Sequence, residues 1–309
     1  MLVVGGAGFL GSHVVERLVR AGADVEVIDN LARGHRDWIS KDVRLHRSDV
    51  RDSTSLDRIV RRAKPDVVLH LAAMHFIPEV DGAPELARAV NVEGTRNLLA
   101  ALSPRPPQLF LFASTAAVYP DRRGPISESC SVAPLDLYGA TKLAGEGLVA
   151  KFEADTRTTC RIARIFNVIG KRETNPHVVP ALLDQLRQGS SLVRLGNLDT
   201  RRDYTDVADV AEALARLLDP AIQHRIFNVG SGRAVSAAEL VKTCERILGR
   251  HIAVEVDPHL VRSQDRQELV ADASLLRATT GWVPQRTLET TLADLLNEAT
   301  SQPIAHSNR

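Results

Sequence analysis

Cysteine is scarce, net charge is nearly absent, and no long apolar run interrupts the chain. The three cysteines, Cys130, Cys160 and Cys244, are odd in number and widely spaced, which excludes both a disulfide framework and the paired spacing of a structural metal site. A reducing, cytoplasmic setting is expected. Lys and Arg number 39 against 38 Asp and Glu, so no basic surplus draws the chain to nucleic acid or an anionic membrane. No uncharged apolar stretch of about 18 residues occurs, and the opening Met-Leu-Val-Val lacks the basic start of a secretory signal. Neither membrane spanning nor export is expected. Repeats and low-complexity segments are also missing. What is there is a 309-residue chain, 44% apolar and 25% charged, the composition of one large or two smaller packed domains.

Short Val, Ile, Leu and Phe runs alternate with segments of helical period as far as Asn167, the pattern of βα units on a parallel sheet covered on both faces. The predicted strands are Leu2–Gly5, Val25–Asp29, Val43–Arg47, Val67–Leu71, Leu109–Ala113 and Arg161–Phe166; the predicted helices are Phe9–Arg20, Leu56–Ala63, Pro84–Leu102 and Leu137–Phe152. Beyond Asn167, Pro176, Pro180, Pro220, Pro258 and Pro284 break the pattern into shorter pieces, as in a smaller lobe. The fold expected is α/β: a Rossmann-type doubly wound parallel sheet over residues 1–167 with a return at about 203–230. A smaller interleaved α/β lobe for substrate takes 168–202 and 231–309. Pro120–Pro134 and the tail after about Ala299 read as the loosest segments, the first long enough to be an active-site loop.

Gly5, Gly8 and Gly11 follow the first strand and open the first helix. Glycines there permit a tight turn, close approach of backbone to a pyrophosphate, and tight helix packing, while the helix N-terminus favours negative charge. Asp29 closes the second strand, where a carboxylate accepts both ribose hydroxyls and repels a 2′-phosphate, so NAD is expected over NADP. Arg33, four residues on, is the one group that accommodates such a phosphate. Asp49 and Val50 follow the third strand at a place suited to the adenine edge. Leu71, Ala72 and Ala73 end the fourth with small residues, and Asn91 is placed to tie that strand end down.

Tyr138 and Lys142 lie four apart in Tyr-Gly-Ala-Thr-Lys, on one face of a predicted helix. A phenol is a poor base at neutral pH; an adjacent ammonium stabilises its phenolate and makes it a usable acid/base. Thr115, just past the fifth strand, is placed to hold a substrate oxygen in line with Tyr138. Each part alone is a weak signal, and the set is specific.

These residues resemble the extended short-chain dehydrogenase/reductase family, in particular its nucleotide-sugar epimerase, dehydratase and reductase branches, over nearly the whole chain. The resemblance implies a seven-stranded Rossmann-type domain holding NAD and a carboxyl-terminal lobe for a nucleoside-diphosphate sugar. It also implies a homodimer packed through two helices per subunit, here Pro84–Leu102 and Leu137–Phe152. Thr115, Tyr138 and Lys142 match the family's catalytic set. Phe9, Leu10, Asp29, Asn30, Asp49, Val50, Leu71, Ala72, Ala73, Asn91 and Phe166 match its cofactor positions. Asn167 resembles the asparagine that contacts the substrate diphosphate, and Arg202 with Tyr204 and Arg262 with Asp265 resemble the late nucleotide-binding positions. Arginine forks suit diphosphate oxygens and a carboxylate suits ribose hydroxyls. His75, beyond the fourth strand, is a candidate sugar contact.

The branch is narrowed by a second absence. The family's 4,6-dehydratases place acidic residues directly after the catalytic threonine, and its uronate decarboxylases place a glutamate two residues on. Here Ala116 and Ala117 follow Thr115, and neither moves a proton. A 4-epimerase and a 4-keto sugar reductase remain. Asp29-Asn30-Leu31 resembles the epimerases, and the stretches at Gly196–Asp199 and Ala271–Pro284 resemble the dehydratase and 6-deoxy-4-ketohexose reductase branch. The residues nearest the chemistry favour the epimerase, with the NAD(P)H-dependent reductase as alternative and a non-catalytic dinucleotide-binding regulator as a further one.

Overall fold

The computed structural model describes residues 1–261 and 265–298. Arg262 and the stretch after Glu298 lie outside them. The first part of the chain runs β1 (Leu2–Val4), α1 (Phe9–Arg20), β2 (Glu26–Asp29), β3 (Arg44–Arg47), α2 (Ser53–Ala63), β4 (Val67–His70), α3 (Ile77–Gly82), α4 (Pro84–Arg88), α5 (Gly94–Leu102), β5 (Leu109–Thr115), α6 (Leu137–Asp155) and β6 (Thr159–Ile165). The second runs β7 (Asn167–Ile169), α7 (Val178–Arg187), β8 (Leu192–Leu195), β9 (Arg201–Asp206), α8 (Val207–Arg216), β10 (Ile226–Val229), β11 (Ala234–Ser236), α9 (Ala237–Leu248), β12 (Ala253–Val256), β13 (Glu268–Leu269), α10 (Ser274–Thr280) and α11 (Leu288–Glu298). No helix of the described residues is long and apolar enough to cross a membrane.

Seven strands form one parallel sheet in the order β10-β6-β5-β4-β1-β2-β3. The order reverses between β1 and β4, the place where ligands bind in open α/β sheets, at the carboxyl ends of the strands. β5 is buried along all seven residues, as a central strand covered on both faces must be. Val14, Val15 and Leu18 of α1 join Val210, Ala211 and Leu214 of α8 and Trp282 on one face. Leu56, Ile59, Leu98, Leu102, Val149 and Phe152 fill the other. The second part forms its own sheet, in which β9 pairs with β7, β11 and β13, and a parallel pair β8 and β12. Leu182, Leu186, Leu240, Val241 and Leu292 make a separate core there.

Several expectations shift. The return to the large sheet begins with α8 at Val207 rather than near 203, because Arg201–Asp206 belongs to the small sheet and Asp206 caps α8 by accepting from the Ala208 N–H. Arg161, buried in β6, fastens this return by donating to the Leu217 and Ile222 carbonyls near the end of α8. Helix α2 starts three residues earlier than the apolar period indicates, since Asp52 accepts from Ser55 N–H and caps it. The single helix expected over Pro84–Leu102 is interrupted by a π turn at Ala89–Glu93, which carries Asn91. Pro120–Pro134 is pinned rather than loose: Ile126 is fully buried, its N–H donates to the Val270 carbonyl at 2.9 Å, and its carbonyl accepts from Asp272 N–H at 2.8 Å.

Candidate active site

The glycine turn sits at the reversal point. Gly5 has φ +84°, and a Cβ there would stand 2.5 Å from Ala72 N; at Gly11 it would stand 2.0 Å from the Gly5 carbonyl oxygen. Both glycines are demanded by the fold. Gly8 is different, since a Cβ there would meet only Gly5 O at 3.5 Å, ordinary contact. The protein's own packing does not require Gly8, so its lack of a side chain points outward, to something that approaches the backbone. Gly8 is also the N-cap of α1 and brings no side-chain oxygen to the first N–H groups of that helix, which leaves them to an anion.

Asp29 is buried at the end of β2 and accepts from Ala7 N–H at 2.9 Å and Leu31 N–H at 2.8 Å. Burial pushes its carboxyl up, and these two N–H groups draw it back. Asn30 donates to Asp49 at 2.8 Å. Asp49 is also forked by Arg51 at 2.9 Å, which holds its carboxyl far below the usual range. Val50 points into the core beside Gly94. Arg33 is engaged by Glu79 at 2.8 Å. Leu71 and Ala72 both donate to the Val4 carbonyl. Asn91 does what its position suggested: buried, it accepts from Met74 N–H at 2.7 Å, donates to the Met74 carbonyl at 2.9 Å, and donates to Thr141 Oγ1 at 2.9 Å. The π turn thus joins the segment after β4 to α6.

Thr115 ends β5, and the first turn of α6 lies across it. Gly139 makes this approach possible, since a Cβ there would stand 2.3 Å from the Ala117 carbonyl oxygen. Burial pushes the Tyr138 phenol up to about 12; the Thr115 hydroxyl draws it down and the Asp136 carboxylate adds to the rise. Lys142 is buried, with Nζ 4.1 Å from the centre of the Phe112 ring. Burial lowers its pKa to about 7, opposed by Glu146. In the chain by itself, burial therefore opposes the charged form of both side chains.

Two supports of this arrangement fall outside the residues singled out in the sequence. Arg266, buried, donates to the Ala117 carbonyl at 2.7 Å, the Tyr119 carbonyl at 3.2 Å and Asp136 at 3.0 Å, while Asp136 caps α6 through Gly139 N–H. It clamps the Thr115 loop to the Tyr138 helix. Glu146, one turn past Lys142, is forked by Arg164 at 2.7 and 3.0 Å and accepts from Ser114 at 2.5 Å. Glu146 had one available signal: a carboxylate on the helix face that carries Lys142.

The substrate candidates gather at the joint between the sheets. Asn167 is paired in register with Tyr204, Phe166 donates from its N–H to the Val229 carbonyl at 2.9 Å, and Arg202 forms an ion pair with Asp265. Tyr204 is buried in the core of the small lobe. Arg262 lies outside the described residues. His75 stands next to Met74, the residue that Asn91 pins.

Residues 1–230 match the NAD-dependent epimerase/dehydratase family. The chain belongs to this family. It is 34% identical to the UDP-glucose 4-epimerase of Streptomyces lividans, with 100% of this chain and 98% of that protein covered. The structure of the Thermus thermophilus UDP-glucose 4-epimerase in complex with NAD superposes with a TM-score of 0.89 at 31% identity, covering 97% and 98% of the two chains. That of the Thermotoga maritima UDP-glucose 4-epimerase with UDP-glucose superposes with a TM-score of 0.90 at 27% identity, covering 96% and 97%. The family is NAD-dependent, and the outward-facing Gly8, the uncapped start of α1 and Asp29 fit that cofactor.

Two measurements follow. Gly8→Ala is expected to fold with near-normal stability and to lose NAD affinity, whereas Gly11→Ala loses stability itself, as read by thermal unfolding without cofactor and by NAD titration; equal stability losses would refute the assignment of Gly8 to the ligand. Lys142 binds a proton in the unfolded chain up to its ordinary value of 10.5 but in the folded chain only up to about 7. Between those values the unfolded state holds more protons, so stability rises with pH. Lys142→Met is expected to flatten that rise in urea unfolding of nucleotide-free protein, and an unchanged slope would count against the buried, discharged lysine.

Proposed function

We propose that the chain is an NAD-dependent nucleotide-sugar epimerase that inverts C4 of a nucleoside-diphosphate hexose through a transient 4-keto sugar, with a UDP-hexose as the first substrate to test. The observation that carries this reading is the meeting of Thr115, Tyr138 and Lys142 on adjoining elements at the carboxyl end of the sheet, beside a glycine turn whose middle glycine the fold does not need. The relatives named above are UDP-glucose 4-epimerases, in keeping with it.

In this reading Gly8, the first turn of α1 and Asp29 hold NAD, which supplies the acceptor and then the donor of one hydride. Tyr138 takes the proton from the sugar 4-hydroxyl and gives it back to the 4-oxygen once the keto sugar has presented its other face. Thr115 holds that oxygen in line. Lys142 acts on the phenol and on the cofactor's ribose, and the ionisation that burial opposes in the bare chain is favoured by bringing these groups together around a ligand. No carboxylate follows Thr115, so nothing there removes a proton from C5, and the keto sugar does not lose water. Residues 1–167 and the return from Val207 to about residue 230 make the cofactor side of the cleft. The remainder makes the sugar side, with Asn167 and Arg202 facing the nucleotide diphosphate, Asp265 facing ribose hydroxyls, and Tyr204 packed behind them in the core of the small lobe. The outer helices α4, α5 and α6, where α5 packs on α6 and Leu86 stays exposed, are the surface we assign to a homodimer.

Tyr138→Phe is expected to lower kcat by about 10²–10⁴-fold while wild-type protein interconverts C4 epimers, followed by NMR, with no net change in NADH absorbance. Retained turnover in Tyr138→Phe would sink the mechanism, and stoichiometric NAD(P)H consumption would establish the reductase instead. Light scattering of the purified protein is expected to give twice the chain mass; a monomer at micromolar concentration would remove the dimer assignment.

A further inference from the structure

We propose that His75, Glu173 and His177 form a site for a divalent transition-metal ion, zinc by its donor set, at the edge of the cleft. Each offers one donor atom, and the three atoms lie within 4.8 Å of one another. The fold brings them together from separate places: His75 follows β4, whereas Glu173 and His177 precede α7. Two histidines and one glutamate are a set with which zinc takes three protein ligands and keeps a fourth position open. Ligands held about 2.0–2.2 Å from such an ion stand roughly 3.3–3.6 Å apart, so side-chain rotations that close the cluster by about an ångström complete it. All three side chains are half-buried.

The cluster shows two signs of readiness. His75 hydrogen-bonds through one ring nitrogen to the Ala73 backbone, the arrangement that orients a metal-bound histidine and leaves the lone pair on its other nitrogen. That second nitrogen, Nε2, faces the Asn175 amide nitrogen at 3.1 Å, and the same amide nitrogen lies 3.4 Å from Glu173 Oε1. Asn175 is itself buried. A proton donor therefore stands between two lone pairs that converge on one point, the place a cation would take if the amide swung aside. The His177 ring closes one flank, stacked on His75 at 5.9 Å and edge-on to Phe76 at 5.1 Å.

The test uses the full chain, stripped with a chelator, desalted and titrated with Co²⁺. The expected result is one equivalent bound with a visible absorption band that Zn²⁺ displaces. His75→Ala, His177→Ala and the shape-preserving Glu173→Gln are each expected to weaken binding by at least about tenfold with an unchanged circular dichroism spectrum, and His251→Ala, on an exposed turn, to leave it intact. Absence of a stoichiometric band in the wild type overturns the proposal, as does a band that survives in both His75→Ala and His177→Ala. So does a wild type that binds no metal while the same variants raise KM for the sugar, which would make the cluster a sugar contact. The cobalt-binding readouts do not depend on the epimerase reading, so the two can fail separately.

Discussion

The Glu146–Arg164 ion pair is the constraint on which the candidate active site depends. Both partners are buried, and Arg164 forks the carboxylate from β6 while Ser114 donates to it from β5. The pair fastens α6 to two central strands at the level of Thr115 and Lys142. It continues outward, since Arg164 donates to the Tyr119 hydroxyl at 3.1 Å, Tyr119 donates to Asn228 at 2.8 Å, and Asn228 donates to the Ile126 carbonyl at 2.7 Å. Three strands, α6 and the long loop after β5 are thus joined by one chain of polar contacts. Burying such a pair is costly, and leaving either partner alone costs about 3–5 kcal/mol. Its geometry is accordingly tightly specified, and so is the position of the residues it carries.

On that frame Tyr138 and Lys142 are held in environments that oppose their charges. Tyr138 is pushed up and Lys142 down by the same burial, and His70, fully buried at the end of β4, is lowered to about 3 by burial and by Lys142. A site built in this way keeps a sugar hydroxyl and a hydride away from water. It also makes the phenol's reactivity conditional on what is bound, which suits a reaction whose keto intermediate must stay in place until it is reduced again.

Much of this was legible in the residues. The βα alternation, the glycine turn, Asp29 and the Tyr138–Lys142 spacing each reflect a local rule: strand burial, backbone approach, or one face of a helix. Asn91 was legible as a tether because an amide inside a helix needs partners. The π turn that aims it was not, because no residue type marks a wide turn. The extent of α2 was set by a cap at Asp52 that a search for apolar period passes over. The small sheet claimed Arg201–Asp206 because strand pairing is decided between segments far apart in the chain.

The sequence by itself determined the alternation of strands and helices, the glycine turn and the identity of the residues proposed for the site, since periodicity and turn chemistry act over a few residues. Only the tertiary structure decided their electrical state and their supports. Arg266 clamps the Thr115 loop to α6 from about 130 residues away, Glu146 finds Arg164 on another strand, and His75 meets Glu173 and His177 across the cleft. Charge and burial depend on every neighbour in space, and those neighbours are set only when the chain has closed on itself.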